Sequence, residues 1–285
     1  MRRRQFLATG TALLSVSLAG CAHPAVVLDM DAASADDIAR ERATPVDSGS
    51  EAYTVVAKAR TNGSATRSGL RGLFDDGETV RVNGQFYDVA ETPVGSSEVT
   101  VYDVLVDFNP ENSTAETGEV RYEDLPRVDR NHLESVFAHD THQEGDGFDV
   151  GVGYGPADDL KGESVFVPTQ RYDILIRDGN RYRVKVESET ASKTTYEYEV
   201  TEVASSVEAY AEQLRERYLF ELTELTAEER SVVEEAIDGG YFDDSDAFRS
   251  VVETIRSHDG LDVNESYGTW LVAYENTDYV TYTEW

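Results

Sequence analysis

Apolar and polar residues alternate along Val120-Arg121-Tyr122-Glu123-Asp124-Leu125, and again a hundred positions later along Phe220-Glu221-Leu222-Thr223-Glu224-Leu225. Alternation with period two marks a strand with one face buried. Both runs continue in register. Asp129 falls on Glu229, Arg130 on Arg230, Leu133 on Val233, Val136 on Ala236 and Phe137 on Ile237. The spacing of these apolar positions predicts a helix after each strand. A fainter copy precedes them, where Val55-Val56-Ala57-Lys58-Ala59 and Asn62-Gly63 match Val232-Val233-Glu234-Glu235-Ala236 and Gly239-Gly240. Its leading strand is expected at Val26-Val27-Leu28, with a short helix inserted behind a capping box of Ser34 and Asp37.

The pattern then turns to hairpins. Val80–Val89 is split by Asn83-Gly84 and Leu175–Val184 by Asp178-Gly179, pairs that supply the two positive φ angles of a type I′ turn. In the last copy Trp270–Tyr274 and Tyr279–Tyr282 flank Asn276-Thr277, a poorer turn. A further strand is expected at Val99–Val104 and at Tyr196–Val200. Each unit therefore reads as strand, helix, variable segment and hairpin, often with one more strand. The expected fold class is α+β: about three tandem modules, each a small antiparallel sheet with one or two helices on a face. The modules are placed at 25–108, 118–204 and 205–285. The last has the plainest helix signals. Thr226 with Glu229 forms a capping box, Gly239-Gly240 a stop, and Phe248, Val251, Val252 and Ile255 an apolar stripe. A preceding helix, capped by Ser205 with Glu208, carries Val207, Tyr210, Leu214 and Tyr218.

The first twenty residues break this pattern. Arg2, Arg3 and Arg4 lead into an apolar and small-residue run from Phe6 to Gly20, and Cys21 follows. A charged start, a short apolar stretch and small residues at a cut site make a secretory signal, here 1–20. Arg3-Arg4-Gln5-Phe6-Leu7 resembles the twin-arginine export motif. Leu18-Ala19-Gly20-Cys21 resembles the lipobox of prokaryotic lipoproteins, which implies cleavage before Cys21 and a lipid on its thiol. One acyl chain holds a protein only marginally, so stable anchoring needs a second. Cys21 is the only cysteine, so no disulfide forms within the chain.

Charge supplies the habitat. Against 56 Asp and Glu stand 25 Lys and Arg, a net charge of −31. Such a chain repels itself at low salt. At about 1 M salt the Debye length shrinks to ~3 Å and the repulsion is screened. The composition resembles that of proteins from salt-loving archaea. With the two N-terminal motifs and the repeat, the chain resembles haloarchaeal twin-arginine-exported surface lipoproteins that carry a repeated, uncharacterised α+β domain. The resemblance implies the extracellular face of the membrane and brings no catalytic residues with it. The charge argues against nucleic acid, whose phosphates require a basic surface. It also argues against anionic headgroups as a partner beyond the anchor.

Candidate chemistry is sparse. His139-Asp140-Thr141-His142, followed by Glu144, Asp146 and Asp149, gathers imidazoles and carboxylates of the kind that bind a transition-metal ion, with His132 on the preceding helix within reach. The spacing matches no standard metal signature, and a solvated acidic loop is the plainer reading. Gly151-Val152-Gly153-Tyr154-Gly155 lacks the helix start and basic help of a phosphate loop, so a twisted or bulged strand is expected. Asp243-Asp244-Ser245-Asp246 lacks the alternation and distant Glu of a calcium loop and suits a helix N-terminus. Asp29, Asp31, Asp36 and Asp37 are weighed the same way. Helix, Gly-Gly, helix and hairpin resembles a winged helix-turn-helix, which charge and compartment oppose. No Gly-x-Ser-x-Gly elbow occurs. Asn62, Asn112 and Asn264 head glycosylation sequons. The resulting expectation is a non-enzymatic, lipid-anchored surface module without a cofactor, presenting Ala138–Lys161 to an envelope or surface protein. The alternatives are a metal-dependent hydrolase of the envelope and a solute-binding lipoprotein.

Overall fold

A computed structural model of the chain describes residues 26–75, 77–138, 150–160 and 162–285. In chain order the elements are β1 (Val27–Ala32), α1 (Ala35–Arg42), β2 (Thr44–Pro45), α2 (Glu51–Asn62), β3 (Ala65–Gly69), β4 (Thr79–Val82), β5 (Gln85–Asp107), β6 (Glu119–Arg121), α3 (Arg127–Phe137), β7 (Val150–Pro156), β8 (Ile174–Arg177), β9 (Asn180–Ala204), α4 (Val207–Tyr218), β10 (Leu219–Glu221), α5 (Ala227–Gly239), α6 (Asp246–Arg256), β11 (Asp262–Val263), β12 (Tyr267–Tyr274) and β13 (Thr277–Glu284). The class is α+β, with sheets that are antiparallel apart from short parallel contacts. The tandem-module arrangement is not confirmed, because the chain forms two compact units. One unit contains residues 45–83 and 87–203; the other contains 26–44, 84–86 and 204–285.

In the first of these units the strand order is β2-β4-β5-β9-β8-β6, with β3 added to β9 and β7 to β5. The strands expected at Val99–Val104 and Tyr196–Val200 are not separate elements. They are the far halves of β5 and β9, and each half serves the other hairpin's core. Tyr198 packs with Val80, Val82, Tyr87 and Val89 under α2. Val104 and Val106 pack with Leu175, Tyr182 and Val184 under α3. β3 pairs with the far half of β9 (Ala65↔Tyr198), and β7 with the far half of β5 (Val106↔Val150). The two hairpins thus exchange strand ends and stand in one sheet. Between the halves, residues 93–98 of β5 are solvent-exposed at every position.

The second unit orders its sheet β1-β13-β12-β10, with β11 on the edge of β12. Here the sequence expectation needs correction. Val26-Val27-Leu28 does not lead the α2 copy. β1 pairs antiparallel with β13, from Val27↔Glu284 to Ala32↔Tyr279. The short strand beside the β4–β5 hairpin is β2, whose neighbour Val46 donates its N–H to the Arg81 carbonyl. β1 occupies the place beside β13 that the exchanged half-strand occupies in the other two hairpins. The runs Val120–Leu125 and Phe220–Leu225 are also shorter as strands than expected. After Arg121 a 3-10 turn begins at Tyr122, and β10 stops at Glu221.

Local signals account for most of the rest. Ser34, Ser50, Ser245 and Thr226 cap α1, α2, α6 and α5, and the Ser34/Asp37 and Thr226/Glu229 boxes are both formed. The cap of α4 is Ser206 rather than Ser205, bonding the Ala209 N–H. Phe248, Val251, Val252 and Ile255 are all buried against Val232, Val233, Ala236 and Trp270. Each such side chain stabilises the fold by about 1.5–3 kcal/mol relative to exposure. Asn83 and Gly84 (φ 52° and 81°) and Asp178 and Gly179 (51° and 83°) are type I′ pairs. In the last hairpin the turn is Glu275-Asn276 (47° and 65°), not Asn276-Thr277, since Tyr274 pairs with Thr277. No described helix is long and apolar enough to cross a membrane.

Candidate functional site

The densest gathering of chemistry-bearing residues lies where α3 meets β7. Asp129 is in the first turn of α3 and fully buried; His132 follows one turn later. Tyr154 comes from β7 and Ser164 from the segment before Phe166, both buried. The Ser164 hydroxyl donates to Asp129 Oδ1 at 2.6 Å, and the Val165 N–H to Oδ2 at 2.9 Å. Ser164 Oγ in turn accepts from the Phe166 and Val167 N–H groups, each at 3.0 Å. The His132 ring stacks on the Tyr154 ring, centroids 4.4 Å apart and 20° from parallel. The Tyr154 hydroxyl is buried close to the Asp129 carboxylate. Burial first, and then the nearby Asp129 charge, push its pKa up.

Serine, histidine and acid therefore meet, but not as a nucleophile and its base. A catalytic serine gives its proton to an imidazole. Here the proton points at a carboxylate, the oxygen is occupied by two backbone donors, and the imidazole lies face-on to a phenol. The arrangement ties the 164–167 segment to the start of α3.

Among the described residues no group of three His, Cys, Asp or Glu side chains is arranged to hold a metal ion. His139, His142, Glu144, Asp146 and Asp149 lie outside the described residues, as do Cys21, Arg3 and Arg4. The Gly151–Gly155 run is β7, and its pairing with β5 shifts register at Tyr102/Asp103. Asp244 and Asp246 both pair with Arg249 at the start of α6, and Asp36 and Asp37 with Arg40 on α1. Asn62 ends α2, exposed. Asn112 is exposed, and its Oδ1 accepts the Thr114 N–H at 2.9 Å. Asn264 is exposed and donates its N–H to the Tyr267 carbonyl.

Two polar assemblies in the same unit have no sequence signature. Asp173 accepts from the N–H groups of Glu116, Thr117 and Gly118 and from the Thr117 hydroxyl, all within 3.0 Å, and pairs with Arg183 at 3.2 Å. Burial opposes its charge, but these bonds outweigh burial and hold the carboxyl below its ordinary range. Arg183 also binds the carbonyls of Asn112 and Thr114, so the linker is strapped to the hairpin. In the second assembly Glu91 accepts from the Leu73 and Phe74 N–H groups. Gly72 lies so close that a Cβ there would sit 1.7 Å from Glu91 Oε1. Tyr198 is buried nearby, its pKa pushed up to about 12 by burial and then by Glu91. The partners in both assemblies are ten or more residues apart (57 for Glu116 and Asp173), which no local pattern announces.

The chain matches no protein-family model, no curated protein and no solved structure.

Proposed function

We propose that this chain is a twin-arginine-exported, lipid-anchored protein of an archaeal cell surface, acting as a non-enzymatic binding scaffold. The observation that carries the reading is repetition, with no activated group among the described residues. Three hairpins close on type I′ turns, and each has a short strand beside it and a helix nearby. In two of them the short strand is demonstrably parallel, β6 on β8 and β10 on β12. We read these as three copies of one module, the first two fused by exchange of strand ends and the third completed by β1. Repeated units of this kind build extended surfaces for partners. The Ser164–Asp129 arrangement supports a structural rather than a hydrolytic role for the α3–β7 region.

The partner is an envelope or surface protein. In-cell crosslinking at native salt tests this, with a Cys21→Ser chain as unanchored control. A small set of envelope proteins is expected, lost when residues 139–149, which precede β7 in the chain, are replaced by a neutral linker. A folded, abundant surface chain that captures nothing contradicts the scaffold reading.

A further inference from the structure

The start of β1 lies at one end of its sheet, and that end carries an unusual set of side chains. Val27 pairs with Glu284, and Glu284 with Tyr267. On the far side of β12, Val263 pairs with Gly268. On the open edge of β1, Leu28 forms an antiparallel bridge with Tyr241, which sets Phe242 beside Val27. Phe242 is 50 % exposed, Val263 51 % and Tyr267 43 %. These three belong to the short set of large apolar side chains left in solvent among the described residues, and all three are at this end. Trp285 is half-buried beside them, with the Arg256 guanidinium 4.0 Å over its ring.

The inference rests on the proposed lipid at Cys21. From Cys21 to Val26 the chain advances five residues, a reach of at most about 18 Å even fully extended. Strands lie about 4.8 Å apart, so Tyr267, two strands over, is only ~10 Å from Val27. A protein tethered there holds this end of the sheet at the bilayer. Exposed aromatic and aliphatic side chains suit the interfacial layer, where Tyr and Trp rings settle with their polar tips wet.

We propose that the Phe242–Val263–Tyr267 end of this unit rests on the lipid surface, so that the anchor orients the unit as well as retaining it. Asp243, Asp244, Asp262 and Glu265 border the patch and are exposed. They oppose anionic headgroups at low salt and are screened at molar salt, so the contact strengthens as salt rises.

The test uses single cysteines at Phe242→Cys, Val263→Cys and Tyr267→Cys. Thr277→Cys, at the opposite end of the eight-residue strand pair, is the control. Each is placed in the lipidated chain, reconstituted in zwitterionic phosphatidylcholine vesicles at molar salt, and in the Cys21→Ser chain in solution. A membrane-impermeant maleimide reports access. The expected result is severalfold slower labelling at 242, 263 and 267 in the anchored chain only, with 277 unchanged in both. Rates at 242, 263 and 267 that are the same in the anchored chain, its mass showing the lipid, as in the Cys21→Ser chain overturn the orientation and leave the anchor standing. A mass without lipid overturns both.

Discussion

Ser164 and Asp129, separated by thirty-five residues in sequence, share a 2.6 Å hydrogen bond in the interior, the hydroxyl donating to the carboxylate. Removing it strands a buried carboxylate oxygen and two backbone N–H groups. Ser164→Ala is expected to cost about 1–3 kcal/mol. Asp129→Ala, which also strands the Val165 N–H, should cost at least as much. Chemical denaturation at molar salt measures both. A neutral Ser164→Ala variant would mean the hydroxyl does not hold this segment.

Asp173 gives the linker an acid-sensitive clasp. Its carboxyl is held below its ordinary value of 3.8 by the Glu116, Thr117 and Gly118 donors. A carboxyl with a depressed folded-state pKa contributes stability that is present above its unfolded value and lost as pH falls through the folded one. The wild type should therefore lose stability as pH drops below 3.8. Asp173→Asn should be less stable at neutral pH and lose less over that acid range. Thermal melts at a series of pH values compare the slopes.

Tyr198 acts at the other extreme. Its pKa rises from the ordinary 10.0 to about 12. A raised value means stability that is complete below 10 and lost as pH climbs toward 12. In Tyr198→Phe this loss is absent, so the variant should gain on the wild type across that window. Melting curves of the wild type and Tyr198→Phe at pH 9 to 12 give the readout.

The third hairpin uses Glu275-Asn276 where the other two use Asn-Gly and Asp-Gly. Both residues hold positive φ. Glu275→Asn with Asn276→Gly supplies the preferred pair and should stabilise by about 0.5–1 kcal/mol. Denaturant unfolding tests it. Destabilisation would mean that Glu275 makes a contact worth more than its backbone strain.

This turn also shows where the sequence is readable. Asn83-Gly84 and Asp178-Gly179 announce themselves because the φ requirement selects the residues. Glu275-Asn276 does not, since context enforces its conformation. The capping boxes at Ser34 and Thr226 and the Phe248–Ile255 stripe are legible for the same reason: their causes lie within one or two helical turns. The placement of β1 beside β13 depends on which edge is free after the whole sheet forms, and period-two alternation is blind to it. The exchange of Val104 and Tyr198 between cores is hidden likewise. Alternation continues through β5 and β9, and only the packing shows that each strand changes partner midway. His132 reads in the sequence as a residue within reach of the His139–His142 stretch, which lies outside the described residues; its stacking on Tyr154 joins α3 to β7, and no local pattern announces it. Asp129 aligned with Glu229, but neither its burial nor its bond to Ser164 could be read from that alignment.

The anchor is the claim on which localisation, partner and orientation all depend, and intact mass of the chain extracted from membranes at native salt tests it directly. The expected species begins at Cys21 and carries the added mass of lipid on that residue, with Cys21→Ser released to the medium or left unprocessed. A chain that keeps residues 1–20 and has an unmodified Cys21 contradicts it.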